Sequence, residues 1–144
     1  MRRPWIEFRK WPYEPDTLHF EIAASDGTFS GAQDFYLGTT DIEKLADRLR
    51  GFPRDTNDEA VLDIGERDER WAYWVRLRFW LYDAVGHAAL TIDLTNNRKQ
   101  QHDRSVRFTI QTEVASFNRL GEALASWLSS EQASFRHEFT PQGA

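Results

Sequence analysis

The chain has 144 residues, a formal net charge of −5 and no cysteine. That length is typical of one domain and the 40% hydrophobic content is enough for one core, so residues 1–144 are predicted to form a single domain. The absence of cysteine excludes disulfides, thiol catalysis and cysteine-ligated zinc or iron–sulfur sites. Because the N-terminal segment also lacks the apolar run of an export signal, we expect a cytoplasmic location.

The acidic balance of the chain bears on its partners. Proteins that bind nucleic acid usually carry an excess of Lys and Arg, because contacts with phosphates supply most of their affinity. This chain has 18 Lys and Arg against 23 Asp and Glu, which argues against a nucleic-acid partner. Its apolar stretches are also far shorter than a membrane span. We therefore expect neither nucleic acid nor a membrane as the partner.

Three strands are predicted before the first helix. Apolar and polar residues alternate over residues 5–11 and 17–24, the pattern of strands that bury one face. The pair Asp26-Gly27 favours a tight hairpin turn, because both residues tolerate positive φ. A third strand is expected at about residues 28–37.

The remaining elements follow in chain order. A helix is predicted from Thr40, a suitable N-cap, to Gly51, with apolar residues at helical spacing between them. A second amphipathic helix covers about residues 114–129, and Gly121 is expected to let it approach the sheet closely. Between the helices, turn residues separate four further strands, at about residues 60–64, 71–82, 88–94 and 105–112.

Strands that come in runs, with only two helices between them, indicate an α+β domain. We expect two layers: an antiparallel, meander-like sheet of about six to seven strands, with both helices packed on one face. The core should span about residues 5–129, and the tail, residues 130–144, is either flexible or an edge strand. The helix residues expected to close the sheet face are Leu45, Leu49, Phe117, Leu124 and Trp127.

Motifs for chemistry are missing from the sequence. The four histidines lie in separate segments, without the local pairs typical of metal sites. Glu7 and Glu21 fall on neighbouring strands with Arg9 and His19, an arrangement that predicts cross-strand ion pairs on an exposed face and not an acid–base pair. Glycine-rich phosphate loops are also absent. We predict no catalytic, cofactor-binding or metal-binding residue, and hence no enzyme and no cofactor.

The longest strand departs from the expected pattern. Its face toward water should be polar, but aromatic residues alternate there with arginine, and both types are enriched at the energetic centres of protein interfaces. Trp5 and Trp11 on the first strand are expected to extend the same patch. This candidate protein-binding face therefore comprises Trp74, Arg76, Arg78, Trp80, Tyr82, Trp5 and Trp11.

Three interpretations of this face remain open. The first is an interface for a protein partner or for self-association. The second is structural: arginine stems cover the indole rings through cation–π contacts, as on many sheet faces. The third is a platform for single-stranded nucleic acid, which also uses aromatic and arginine side chains and which the net charge places last.

Two segments carry a resemblance to a known group of proteins. The stretch Phe29-Ser30-Gly31-Ala32-Gln33-Asp34-Phe35-Tyr36, followed by residues 41–49, resembles small bacterial proteins that include the WapI-type immunity proteins of polymorphic toxin systems. Residues 83–90 look like a later hairpin of the same group. The resemblance covers roughly residues 17–128 and implies a small binding protein, with no catalytic residue to carry over.

The sequence thus predicts a non-enzymatic protein-binding domain, of the bacterial immunity type or a homodimer, that uses the aromatic and arginine face. The alternative is a small-ligand-binding protein or enzyme with a pocket between sheet and helices, lined by His19, Glu21 and Arg78. The first prediction requires the face to be accessible. The second requires these three side chains to come together.

Overall fold

The described strands of the chain form two sheets, each of four antiparallel strands. The computed structural model describes residues 2–14, 17–68 and 70–140. In chain order its elements are β1 (Trp5–Glu14), β2 (Thr17–Ser25), β3 (Ser30–Gly38), α1 (Thr39–Arg50), β4 (Glu59–Gly65), β5 (Trp74–Leu81), β6 (His87–Thr95), β7 (Ser105–Glu113), α2 (Val114–Leu128) and β8 (Ser134–Glu138). Sheet A has the order β3-β2-β1-β8, and sheet B has the order β4-β5-β6-β7.

The predicted α+β class is confirmed, but the single sheet of six to seven strands with both helices on one face is wrong. Alternation of apolar and polar residues identifies the buried face of a strand without identifying its neighbours. Within the runs β1–β3 and β4–β7 each strand is followed in the chain by the next strand, whereas α1 and the loop over residues 51–58 separate β3 from β4. The chain therefore begins a second sheet at β4 instead of extending the first.

The segment that follows α2 returns to the first sheet. Strand β8 pairs antiparallel with β1, so that Phe8 lies opposite Phe135 and the two rings stack at 5.5 Å. The backbone N–H of Phe139 donates to the carbonyl of Pro4 at 2.9 Å, and the Phe139 ring is fully buried. Residues 134–138 of the predicted tail thus form an edge strand, while residues 141–144 lie outside the described residues.

One hydrophobic core joins the inner faces of both sheets and the helices. Helix α2 contacts both sheets, because Trp127 packs on Phe8 and Phe20 of sheet A at 6.2 Å and Phe117 meets Phe79 of sheet B edge-on at 5.0 Å. The helices therefore fill the space between two sheets and do not cover a single one. All the helix residues predicted to be buried are in this core: Leu45, Leu49, Phe117, Leu124 and Trp127.

Lys10 is a charged residue on the inner side of β1, and it caps α2. Its Nζ donates to the carbonyl oxygens of Trp127 at 2.8 Å and of Ser130 at 2.9 Å. The ammonium also lies 4.6 Å from the centre of the Trp127 ring. Burial lowers the pKa of Lys10. A cation at the C-terminus of a helix is favoured by the unpaired carbonyls there, so Lys10 fixes α2 against sheet A.

Gly121 sets the distance between the two helices. A Cβ at this position would lie 2.7 Å from the backbone nitrogen of Arg50 and 2.8 Å from the carbonyl oxygen of Ala46. The predicted close approach is thus made to α1 and not to the sheet. Next to it, Asn118 Nδ2 donates to the carbonyls of Leu49 at 2.9 Å and Phe52 at 2.8 Å, which caps the C-terminus of α1.

His137 predicts a loss of stability in acid. It lies on β8 with its Nε2 3.1 Å from Oγ of the buried Ser116, and burial, with the charge of Arg119, lowers its pKa from 6.5 to about 4. The folded state favours the neutral imidazole, so this contribution is complete above pH 6.5 and is lost as the pH falls toward 4. We expect His137 to account for a loss of about 1–2 kcal/mol between about pH 7 and pH 4.5, a figure reduced for its partial exposure.

Urea denaturation of the wild type and of His137→Gln at these two pH values measures this contribution. The variant should lose about 1–2 kcal/mol less than the wild type on acidification. Asp58 does not add to the loss of stability between these pH values. Burial raises the pKa of its carboxyl, but hydrogen bonds from Arg54 and Arg48 outweigh this and lower the pKa to about 2. An equal loss in both proteins would contradict the assignment to His137.

Candidate functional site

The predicted aromatic and arginine side chains of the long strand share the outer face of sheet B. Trp74, Arg76, Arg78 and Trp80 alternate along β5 with Val75, Leu77 and Phe79, which are fully buried on the inner side. Tyr82 comes directly after the strand, with its ring 6.3 Å from that of Trp80. We call the surface formed by Trp74, Arg76, Arg78, Trp80 and, on β7, Arg107 the B face.

The arginines of the B face are paired with carboxylates across the sheet. Asp63, Arg76, Asp93 and Arg107 lie opposite one another on the four strands, which gives a row of alternating charge. Arg76 Nε lies 3.5 Å from Asp63 Oδ2, and Arg107 Nε lies 3.6 Å from Oδ1 of the buried Asp93. These pairs order the guanidinium groups on the surface and leave them half-exposed or exposed.

The tryptophans of the B face lie against polar groups of the sheet. Trp80 Nε1 donates to Thr91 Oγ1 at 3.0 Å, and the guanidinium of Arg78 lies 4.7 Å from the centre of the Trp80 ring. Trp74 Nε1 donates to Asp63 Oδ1 at 2.9 Å. Both indoles are half-buried. The B face therefore holds its rings in fixed orientations, each with one part covered and another accessible to solvent.

A loop rich in basic residues borders the Trp74 end of this face. The loop between β6 and β7 is organised by the buried Asn96, whose Oδ1 accepts from the N–H groups of Arg98 at 3.3 Å and Arg104 at 2.9 Å. Asn97 Nδ2 donates to the carbonyl of Glu66 at 2.6 Å and ties this loop to the one before β5. Arg98 and Arg104 are thereby held on a defined loop.

Three arginines lie in the loops at this end of the B face. In the ranges that the structure describes, no side-chain hydrogen bond or ion pair engages the guanidinium groups of Arg67, Arg98 or Arg104. Arg67 lies near Trp74 and Arg107, with which it lines a small cavity of about 50 Å³. The sequence prediction missed these arginines. For Arg98 and Arg104 the available signal was the segment over residues 96–107, which has four Lys or Arg and one Asp, whereas Arg67 lies among acidic residues and had no such signal.

Trp5 and Trp11 do not extend the B face, because they lie on the outer face of sheet A. There the rings of Trp11, His19 and Tyr36 form a row across three strands, with successive centres 4.6 Å apart. Trp11 and Tyr36 are 38% and 45% exposed. The charged residues of this surface are mainly acidic: Glu7, Glu21, Asp34 and Glu138 accompany Arg9 and Arg136.

The residues of the predicted sheet–helix pocket are also separated. His19 and Glu21 are on the outer face of sheet A, and Arg78 is on the outer face of sheet B. His19 Nε2 is paired with Asp34 at 2.8 Å, and Arg78 Nε donates to Glu59 at 2.7 Å. Within residues 2–14, 17–68 and 70–140, no three His, Asp or Glu residues form a group that could hold a metal ion. Neither described helix is long and apolar enough to cross a membrane.

Comparison with known proteins shows that this chain is similar to some solved structures in fold. No family model matches the chain, and no match was found among curated proteins. Similar solved structures include WHY1 from Arabidopsis thaliana, with a TM-score of 0.53 and 14% identity over 89% of this chain and 79% of that one. Another is the plant transcriptional regulator PBF-2, with a TM-score of 0.49 and 15% identity over 89% of this chain and 76% of that one.

These neighbours overturn the predicted function. The prediction of an immunity-type protein-binding domain or homodimer, and the exclusion of nucleic acid, are wrong. The exclusion rested on net charge, which adds up the whole chain and does not register a local basic region such as the 96–107 segment. The prediction that the chain is not an enzyme stays a prediction, because the likeness is one of fold alone. The resemblance to WapI-type immunity proteins and the cytoplasmic location stay predictions.

Proposed function

We propose that this chain is a non-enzymatic protein that binds single-stranded nucleic acid on the B face. The observation that carries the proposal is the group of arginines without a side-chain partner among the described residues, Arg67, Arg98 and Arg104, beside a sheet surface with ordered tryptophans. Guanidinium groups bind phosphate oxygens in a bidentate geometry. Proteins that bind single strands combine such a positive path for the backbone with aromatic rings for the bases.

A single strand fits this surface better than a duplex does. Trp74 and Trp80 are six residues apart on one strand and point to the same side of the sheet, so they offer stacking surfaces in succession along β5. In a duplex the faces of the bases are covered by their neighbours and only the edges are accessible in the grooves. An unpaired strand exposes the base faces that these rings can stack on, with little dependence on sequence.

The ion pairs of the B face limit how much its arginines contribute to binding. Arg76, Arg78 and Arg107 already interact with carboxylates, so they contribute less to phosphate binding than the arginines of the loops. Together with the net charge of −5, this predicts a modest affinity, in the micromolar range at moderate salt. The pair of Arg78 with Glu59 also holds the guanidinium 4.7 Å from the centre of the Trp80 ring, which restrains the indole on the surface.

Fluorescence anisotropy of labelled oligonucleotides of about 20 nucleotides tests the proposal. The single strand should bind in the micromolar range at about 50 mM salt and lose about 30- to 100-fold in affinity at about 200 mM, as expected for roughly four phosphate contacts. The matching duplex should bind at least about tenfold more weakly. No binding at about 100 µM protein in low salt, or tighter binding of the duplex, would overturn the proposal.

Removal of a stacking ring should weaken the complex. We expect Trp80→Leu to reduce single-strand affinity by about 5- to 150-fold, which corresponds to the 1–3 kcal/mol of one base–aromatic contact. Leucine keeps an apolar cover on the sheet, and thermal unfolding checks that the fold is retained. Trp11→Leu on sheet A is the matched control and should leave the affinity unchanged. Equal losses in the two variants would contradict binding on the B face.

A further inference from the structure

The edges of the two sheets border one groove. Strand β3 is an edge of sheet A and β7 is an edge of sheet B, and a cavity of about 580 Å³ lies where they meet. The strands come close because β3 has Gly31 at this point: a Cβ there would lie 2.5 Å from Val106 Cγ1. This volume is within the range of about 300–1,000 Å³ that small-molecule sites have.

The walls of the groove match the parts of a nucleobase. Leu94 and Val106 line it with apolar groups, while Ser30, Ser105 and Asp103 line it with hydroxyl and carboxylate groups. A base has an apolar face and an edge with both hydrogen-bond donors and acceptors. The hydroxyls can donate or accept, and the carboxylate accepts. The groove therefore offers hydrogen-bond partners to either kind of group on the edge of a base.

A basic cavity adjoins this groove. It measures about 360 Å³ and is lined by Asn96, Arg98, His102 and Arg104, so that Arg104 borders both spaces. Arg98 and Arg104 have no side-chain partner in the described part of the chain, and Asn96 holds their backbone in place. Two arginines and a histidine around one cavity favour an anion there, and phosphate, like carboxylate, can accept two parallel hydrogen bonds from one guanidinium.

The groove also connects with the B face. A third, smaller cavity, lined by Arg67, Trp74 and Arg107, shares Leu94, Ser105 and Val106 with the groove. A strand bound at Trp74 has a continuous path over the start of β7. To follow this path the nucleic acid must bend at the edge of sheet B. A flexible single strand can bend there, whereas a stiff duplex cannot.

We propose that the groove between β3 and β7 binds one unpaired nucleotide, with its base in the groove and its phosphate at Arg98 and Arg104. This site rests on the proposed function, because it takes a nucleotide of the strand that the B face binds. It also predicts that a free nucleoside monophosphate binds to the protein. Neither the base alone nor phosphate alone fills both spaces.

Titration of the ¹⁵N-labelled protein with cytidine monophosphate, followed by NMR, tests the site. The amides of Gly31, Ala32 and Ser105 should shift together with those of Arg98 and Arg104. Cytidine and inorganic phosphate, as separate probes, should each bind at least about tenfold more weakly. The inference is overturned if inorganic phosphate produces the same shifts at the same concentrations, or if cytidine monophosphate shifts only B-face amides.

A groove-filling variant separates this inference from the proposed function. Ser30 is exposed, so Ser30→Phe should fold normally and weaken cytidine monophosphate at least about tenfold, while strand binding falls much less because the B face is intact. If the wild type binds single strands but gives no shifts with the nucleotide, only the groove is refuted. If it binds the nucleotide but no strand, the proposed function fails and the groove stands.

Discussion

Replacement of Arg67, Arg98 and Arg104 by alanine in one variant should reduce single-strand affinity about 100-fold or more at about 50 mM salt. Each arginine that contacts a phosphate releases counterions, and for single strands each contact contributes about 0.7 to the slope of log affinity against log salt. Loss of three contacts should therefore flatten this slope by about 2. Salt-dependent anisotropy of the variant and the wild type measures both quantities.

A second triple variant controls for the change in net charge. Arg9→Ala, Arg136→Ala and Arg119→Ala remove the same charge from sheet A and α2, away from the B face. We expect this variant to bind within about threefold of the wild type, because exposed charges farther than about 10 Å from a ligand are largely screened. Equal losses in both triple variants would mean that binding depends on overall charge and not on the loop arginines.

Gly121→Ala should reduce the free energy of unfolding by about 2 kcal/mol. The new Cβ would lie within 3.0 Å of Arg50 N, Ala46 O and Leu49 Cβ, and two of these atoms belong to the α1 backbone. A backbone cannot rotate away from the contact, so the helices must separate and loosen the core between them. Overpacking costs about 1–3 kcal/mol, partly offset by the higher helix propensity of alanine.

Gly51→Ala is the matched control for this prediction. Gly51 follows α1 with a φ of −98°, and the nearest atom to an added Cβ is the carbonyl oxygen of Asp47 at 3.9 Å. Alanine fits there without strain and restricts the unfolded chain, so stability should be unchanged or rise by up to about 1 kcal/mol. Urea unfolding compares the two variants, and a neutral Gly121→Ala would refute the proposed role of Gly121 in helix packing.

The local structure of this chain follows well from its sequence, and its topology does not. Alternation over residues 5–11 and 17–24 places β1 and β2, because a strand with one buried face must alternate. The same pattern contains nothing about which strands pair across α1. Lys10 is an exception to this alternation within β1, because it is a charged residue that faces inward. Its ammonium binds the carbonyl groups at the end of α2.

Only part of the candidate site could be predicted, because the sequence pattern again gives the face of a strand but not its neighbours. The period of two in β5 puts Trp74, Arg76, Arg78 and Trp80 on one face, as the structure has them. Whether the arginines are paired, and with which carboxylates, depends on the register of β4 and β6, which turn lengths alone do not determine. The freedom of the loop arginines is a property of the folded loop that Asn96 organises.

The prediction of the partner class was misled by the net charge of the chain. A net charge of −5 describes the average of the surface, whereas a strand of nucleic acid meets one region of it. Among the described residues, Arg98 and Arg104 of the loop between β6 and β7 have no side-chain partner, while acids accumulate on the outer face of sheet A and in the segment before β5 that also contains Arg67. Trp5 and Trp11 belong to that acidic surface, so aromatic content by itself does not mark the B face.

Photocrosslinking of a single strand of about 20 nucleotides containing 4-thiothymidine, followed by mass spectrometry, tests the central claim most directly. It locates the bound strand on the wild-type surface without any substitution. Crosslinks are predicted in the peptides of β5 around Trp74 and Trp80 and of the loop around Arg98 and Arg104. Crosslinks confined to Trp5, Trp11 and Tyr36 on sheet A would contradict the assignment of the B face as the nucleic-acid interface.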